Sequence, residues 1–260
     1  MAAIYRDFSP ADLQPLLASH GIAATILVQA APTTAETKFL LDLASATPFV
    51  AGVVGWAALD APDAATRVAE LAESELLVGL RPMLHDLPDE DWVLRPELEP
   101  AFREMKAQGI VFDALVRPHH LKHLLVLAQR HPYLSIVIDH GAKPDLRGSW
   151  QADWAAALAS LAKLPWVTCK LSGFLTEADP GAGADLLRPY VTHLIDIFGP
   201  DRLMWGSDWP VLNLSDSYAG WRRLTEALLE PLSHQAQSAV LGGTAERIYL
   251  SKRGRKVLPC

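Results

Sequence analysis

Short apolar runs that each close on a charged residue or a glycine constrain this chain more than any other feature. Leu203-Met204-Trp205 leads through Gly206 to Asp208, with Pro210 ending any strand. Leu134-Ser135-Ile136-Val137-Ile138 closes on Asp139, His140 and Gly141. Trp166-Val167-Thr168-Cys169 carries Lys170 and then Ser172-Gly173, and Leu76-Leu77-Val78-Gly79-Leu80 runs into Arg81-Pro82. A charge on such a strand is costly unless it is paired or used. Alternation puts Met204, Gly206 and Asp208 on one strand face, so the carboxylate projects at the carboxyl edge. That edge is where parallel α/β folds do their chemistry.

Helical stretches separate these runs without a break. Ser9-Pro10 opens a first helix that Gly21 stops. Strand 23–30, a helix begun by the capping box Thr33 to Glu36, and strand 49–56 follow. Helix 62–73, strand 76–82, helix 97–108 and strand 110–116 continue the alternation, and Arg117-Pro118 starts a helix that ends near Arg130. Strand 134–140, helix 150–163 and strand 166–172 come next. Leu187, Tyr190, Val191, Leu194, Ile195 and Phe198 mark an amphipathic helix ending at Gly199. Strand 202–208, a helix over about 216–229 and a short helical C-terminus complete the pattern.

The tally is seven strands, and the first element is a helix. A (β/α)8 barrel needs one strand more, ahead of Ser9, where residues 1–8 offer at most a fragment. The expectation is one domain over 1–260, an N-terminally truncated TIM-like barrel. Its strand position between 23–30 and 202–208 should be empty or poorly filled. An open doubly wound parallel sheet is the alternative.

The composition suits a compact enzyme: of 260 residues, half are apolar and 20% charged, which supports a sizeable core. A formal charge of −7 gives no reason to expect nucleic acid or an acidic membrane as partner. No membrane-spanning run or secretory signal pattern is visible. Cys169 sits in an expected strand and Cys260 ends the chain, so a disulfide is not expected and the cytoplasm is the default compartment. An oligomer is compatible with all of this.

Asp139-His140-Gly141-Ala142-Lys143-Pro144, Lys170-Leu171-Ser172-Gly173, Phe112-Asp113 followed by Arg117-Pro118-His119-His120-Leu121, and Met204-Trp205-Gly206-Ser207-Asp208-Trp209-Pro210 stand at or beside the ends of these runs. Together they resemble the lactonase branch of the amidohydrolase superfamily, which includes fuconolactonase-like, rhamnonolactonase-like and pyrone-dicarboxylate-lactonase-like proteins. One departure is large: the family opens on a strand carrying His-x-His, and this chain has none. The resemblance implies a barrel and hydrolysis of a small-molecule lactone, a sugar-acid or related carboxylated one.

Hydrolysing a lactone needs a nucleophilic water, polarisation of the carbonyl and a proton for the leaving alkoxide. Asp208 matches the family's general base. His140 suits proton shuttling or orientation. Arg81 could clamp a carboxylate or hydroxyl-rich acid, or Arg81-Pro82 could merely lock a loop. Lys170 could hold a substrate oxygen or pair with Asp208. Asp113 is a weaker substrate-binding candidate with a structural role as its rival, and Trp209 a pocket-wall candidate. His119, His120 and His123 read better as a helix start than as a metal cluster. The wider superfamily binds divalent metal through His-x-His, a later His and the final Asp. Here His140 and Asp208 alone would have to hold a zinc, so no tightly bound metal is expected. A related decarboxylase and a catalytically inactive barrel kept for binding are the competing functions.

Overall fold

In the computed structural model, residues 2–251 are described; Met1 and residues 252–260, Cys260 among them, lie outside the described residues. Seven strands form one sheet in sequential order: β1 (Thr25–Val28), β2 (Val50–Gly55), β3 (Leu77–Leu80), β4 (Val111–Ala114), β5 (Ile136–Ile138), β6 (Val167–Leu171) and β7 (Leu203–Trp205). Every neighbouring pair is parallel. The helix α1 (Pro10–Ser19) precedes β1. Between strands run α2 (Thr34–Ser45), α3 (Ala64–Ala72), α4 (Glu99–Gln108), α5 (Leu121–Arg130), α6 (Ala152–Ala162) and α7 (Ala184–Phe198), and α8 (Tyr218–Leu229) and α9 (His234–Ser238) follow β7. No described helix is long and apolar enough to cross a membrane.

The expected alternation holds, but the strands are shorter than the apolar runs. The run at 134–140 stops pairing at Ile138, and that at 202–208 stops at Trp205. In both cases the chain turns before its functional residue, so His140 and Asp208 stand on turns beyond the strand ends. Residues 2–4 form a 3-10 turn rather than a strand.

The sheet curls into a barrel. Val54 of β2, Val78 of β3, Val111 of β4, Val137 of β5 and Met204 of β7 share one buried cluster, against which Ile26 and Val28 of β1 pack. In a flat sheet the first and seventh strands would stand about 29 Å apart, at roughly 4.8 Å per step. A common interior therefore excludes the open doubly wound alternative. The opposite faces, including Leu77, Leu80, Phe112, Ile136 and Ile138, pack outward in the main core with the helices.

Between β2 and β3 the register shifts: Val53 faces Leu77, but Val54 faces Gly79. The extra residue, Val78, changes the phase of β3. Strict alternation from Leu77 would turn Arg81 outward; the shift turns it inward, as such irregularities do near active sites.

Among the described residues β1 and β7 share no ladder, as the missing strand required. No strand fills that position among the described residues, but the interior beside it is packed from the C-terminal side. After α9 the chain winds as π-helix over Ala239–Gly243, along β7, and over Glu246–Leu250, against β2 and β3. Ile248, Tyr249 and Leu250 join the interior cluster. The short helical C-terminus thus supplies barrel core, which its length gave no reason to expect. Leu250→Ala should cost about 2–5 kcal/mol, the range for truncating a buried leucine, because Leu250 is only 2% exposed. Urea denaturation of the two chains checks it; an unchanged midpoint would show that the segment does not fill the barrel.

Candidate active site

The turn after β5 builds one half of the site. His140, Gly141, Ala142 and Lys143 all have positive φ, at 53°, 56°, 62° and 50°. For non-glycine residues this conformation costs on the order of 1–3 kcal/mol each and needs support from the surroundings. Trp154, buried on α6, donates its indole N–H to the Gly141 carbonyl at 2.8 Å. A Cβ on Gly141 would come within 2.7 Å of the Phe174 ring, so the turn is packed as tightly as a glycine allows. The result sends Asp139 into the barrel and holds His140 over its mouth.

His140 is gripped from two sides. Its Nδ1 lies 2.8 Å from Ser172 Oγ. Gly173 closes the space behind, where a Cβ would come within 2.6 Å of Nδ1. The free nitrogen, Nε2, stands 3.8 Å from Asp208 Oδ1. Asp208 is itself left-handed, with φ 55°, in a turn whose Gly206 carbonyl accepts the Trp221 indole N–H at 2.9 Å. Burial lowers the His140 pKa below its ordinary value, and Lys143 and Arg81 add to this against the opposing pull of Asp208 and Asp139. Burial therefore favours the neutral imidazole.

Beneath this pair lies a buried ion network. Lys170 Nζ is 2.6 Å from Asp113 Oδ2 and 2.7 Å from Asp139 Oδ1. Arg81 reaches Asp139 Oδ2 at 3.2 Å and also donates to the Gln29 carbonyl. Tyr249 donates its hydroxyl to Asp113, 2.8 Å from either oxygen. Burial pushes Asp113 up to about 6, opposed by Lys170 and aided by Asp139. Burial would push Asp139 the same way, but Lys170 and Arg81 overcome it and hold that carboxyl well below its usual range. Burial works against the charge on Lys170, and the two carboxylates outweigh it, raising its pKa.

Four candidates from the sequence thus converge: Arg81, His140, Lys170 and Asp208 occupy the carboxyl ends of β3, β5, β6 and β7. Lys170 pairs with Asp113 and Asp139, whereas pairing with Asp208 was the structural alternative. Asp113 is fully buried within the network. Trp209 packs edge-to-face on Phe8, with ring centroids 5.1 Å apart. His119 and His120 lie in the 3-10 turn Pro118–His120 that leads into α5, and His120 Nδ1 accepts the Arg117 N–H, the helix start expected. Four participants were missed, and Asp139 was one of them, read only as the end of its apolar run. Ser172 was visible beside Lys170, two residues along the same strand face. Gln29 directly follows β1, where its run mixes with alanines. Tyr249 carried no signal except its place in an apolar tail.

Lys170→Met should leave two buried carboxylates without their shared cation, at a cost of about 3–5 kcal/mol at pH 8. The sign of the pH effect follows from burial. A carboxyl whose folded pKa lies above its unfolded value loses stability as pH rises between them, and the methionine variant makes that loss larger. The variant should therefore be closer to the unaltered protein at pH 5 than at pH 8. Urea denaturation at both pH values checks this, and a penalty independent of pH would refute it.

Residues 2–250 match the family described as Amidohydrolase. The chain is 49% identical over 253 residues to the L-fucono-1,5-lactonase of Burkholderia ambifaria, covering 95% of this chain and 87% of that one. It is 40% identical over 261 residues to the L-fucono-1,5-lactonase of Burkholderia multivorans, covering 96% and 88%. An amidohydrolase from Burkholderia multivorans crystallised with bound zinc superposes with a TM-score of 0.92 at 39% identity, covering 96% of this chain and 90% of that one. Among the described residues, no three His, Cys, Asp or Glu side chains form a metal-holding group. His140 and Asp208 supply two donors where a zinc site takes at least three from the protein, so they do not fit one. By sequence and by fold, the chain belongs to the amidohydrolase family.

Proposed function

We propose that this chain hydrolyses the lactone of a neutral sugar acid, with Asp208 as general base and His140 as the group that holds and polarises the carbonyl. The observation that carries the reading is the facing pair at the barrel mouth, His140 Nε2 and Asp208 Oδ1 at 3.8 Å. That spacing is too long for a direct hydrogen bond and suits two groups that bind different oxygens of one reacting centre. In this reading the Ser172 hydroxyl donates to Nδ1, which leaves the proton of a neutral His140 on Nε2, directed at the mouth.

Each step then has an agent. Asp208 takes a proton as a water oxygen bonds to the lactone carbonyl carbon. The His140 N–H stabilises charge growing on the carbonyl oxygen. When the intermediate collapses, the ring C–O bond breaks and Asp208 returns its proton to the departing alkoxide. The product is the open hydroxy acid, and both side chains recover their starting forms.

The network bears on the substrate. Arg81 pairs with Asp139 and the Gln29 carbonyl, Lys170 with Asp113 and Asp139, and Lys143 with Glu177 at 3.2 Å. A lactone bearing an extra carboxylate would find these cations already answered. A hydroxyl-rich, uncharged ring demands no free cation. The names of the two Burkholderia relatives support the same class.

Asp208→Asn should lower hydrolysis of L-fucono-1,5-lactone on the order of 10²–10⁴-fold with the melting temperature little changed. A 2-pyrone dicarboxylate should be a poor substrate for the unaltered chain. Near-normal turnover by the Asn variant would retire Asp208 as the base. A folded chain that opens no lactone would favour an inactive barrel.

A further inference from the structure

We infer that Tyr249 is a positioning residue for the catalytic site: its hydroxyl holds the Asp113 carboxylate against Lys170, so that Lys170 is shared with Asp139 beneath His140. The catalytic half of this inference rests on the lactonase reading; the electrostatic half does not.

The geometry is a chain of contacts leading from the C-terminal segment to the mouth. The Tyr249 hydroxyl lies 2.8 Å from both Asp113 oxygens, Asp113 Oδ2 lies 2.6 Å from Lys170 Nζ, and Lys170 Nζ lies 2.7 Å from Asp139 Oδ1. Asp139 precedes His140 directly, on the left-handed turn that aims the imidazole. Tyr249 is 2% exposed, and a phenylalanine would fill nearly the same volume. What the hydroxyl adds is a donor for one particular carboxylate. Burial and the neighbouring carboxylates raise the phenol's pKa well above its ordinary value, so it remains a proton donor across the working range.

Charged and titratable groups face Asp113 from three elements: Lys170 on β6, Asp139 beyond β5, and Tyr249 from the C-terminal segment. Arg81 stands behind Asp139. On the β3 side is Gly79, and the carboxylate lies 3.5 Å from where its Cβ would be. Two donors thus oppose the burial that favours the protonated acid. Without the hydroxyl, Asp113 takes up a proton at higher pH and ceases to answer Lys170. The ammonium then belongs to Asp139 alone, and the cluster carries one more positive charge beside His140 and Asp208.

The test compares the unaltered full chain with Tyr249→Phe, Asp113→Asn and the double variant, by carbon NMR of labelled aspartate carboxyls and by pH profiles of L-fucono-1,5-lactone hydrolysis. The signal absent from Asp113→Asn should titrate near pH 6 in the unaltered chain. In Tyr249→Phe it should move up to about 7, the effect of losing one hydrogen bond to a charged group. The acid limb of kcat should follow it, with kcat lower by about 2-fold at pH 7 and by about 5-fold at pH 6, and KM little changed. In the double variant, Tyr249→Phe should add no further shift of that limb beyond Asp113→Asn.

A purely structural tyrosine would lower the melting temperature and leave both titrations in place, which would overturn the proposal. An Asp113 titration that moves while the acid limb stays fixed would overturn its catalytic half. If the unaltered chain opens no lactone, the lactonase reading and this catalytic half fail together, and the carbon titration still decides whether Tyr249 governs Asp113.

Discussion

The structure depends on one ammonium group divided between two buried carboxylates. Lys170, Asp113 and Asp139 come from neighbouring strands, and each would be expensive alone in an interior otherwise lined by valines. Together with Arg81 they form a set with no net formal charge. That neutrality allows four ionisable side chains to share one end of the barrel interior. It also ties β3, β4, β5 and β6 together at the level where the strands end, so the turns above start from a fixed base.

Strain sits directly on that base. The run from His140 to Lys143 and the single residue Asp208 are held left-handed, and each turn is pinned by a tryptophan indole bonded to a backbone carbonyl. Trp154 and Trp221 belong to helices outside the barrel and are among its most deeply buried side chains. Burial of the indoles thus supplies the support that the unfavourable backbone requires. Two of the eight tryptophans thus serve the turns. His140 and Asp208 face one another because two helices hold two turns in conformations that the turns would not keep alone.

Much of this was legible in the sequence because it follows from alternation and from the cost of burying charge. The seven parallel strands, the helices between them and the convergence of Arg81, His140, Lys170 and Asp208 came from apolar runs that end on polar residues and from the helical periodicity between those runs. The illegible parts depend on long-range contact or on register. What was not legible is the shift at Val53 and Val54 that turns Arg81 inward, because it depends on how two strands pair. Lys170 has several acids within reach along the sequence, and selecting Asp113 and Asp139 over Asp208 requires the curvature of the barrel. Tyr249 lies 136 residues from its partner. Nothing local marks it, because a tyrosine in an apolar tail ordinarily packs and no more.

Closure of the barrel and charge in the site turn out to share residues. Where β1 and β7 fail to pair, Ile248, Tyr249 and Leu250 occupy the interior, so a segment of irregular helix supplies packing that a strand would otherwise contribute. Two of the three are aliphatic and act through volume. The third brings a hydroxyl to the one carboxylate of the network that Arg81 does not reach. Asp139 has two cations, whereas Asp113 has Lys170 and must complete its bonding elsewhere. The different pKa directions of the two acids follow from that inequality: with two cations Asp139 overcomes burial, and with one Asp113 does not. Filling the barrel with a tyrosine at this point therefore serves the packing of the fold and the less well-compensated member of its ion network at once.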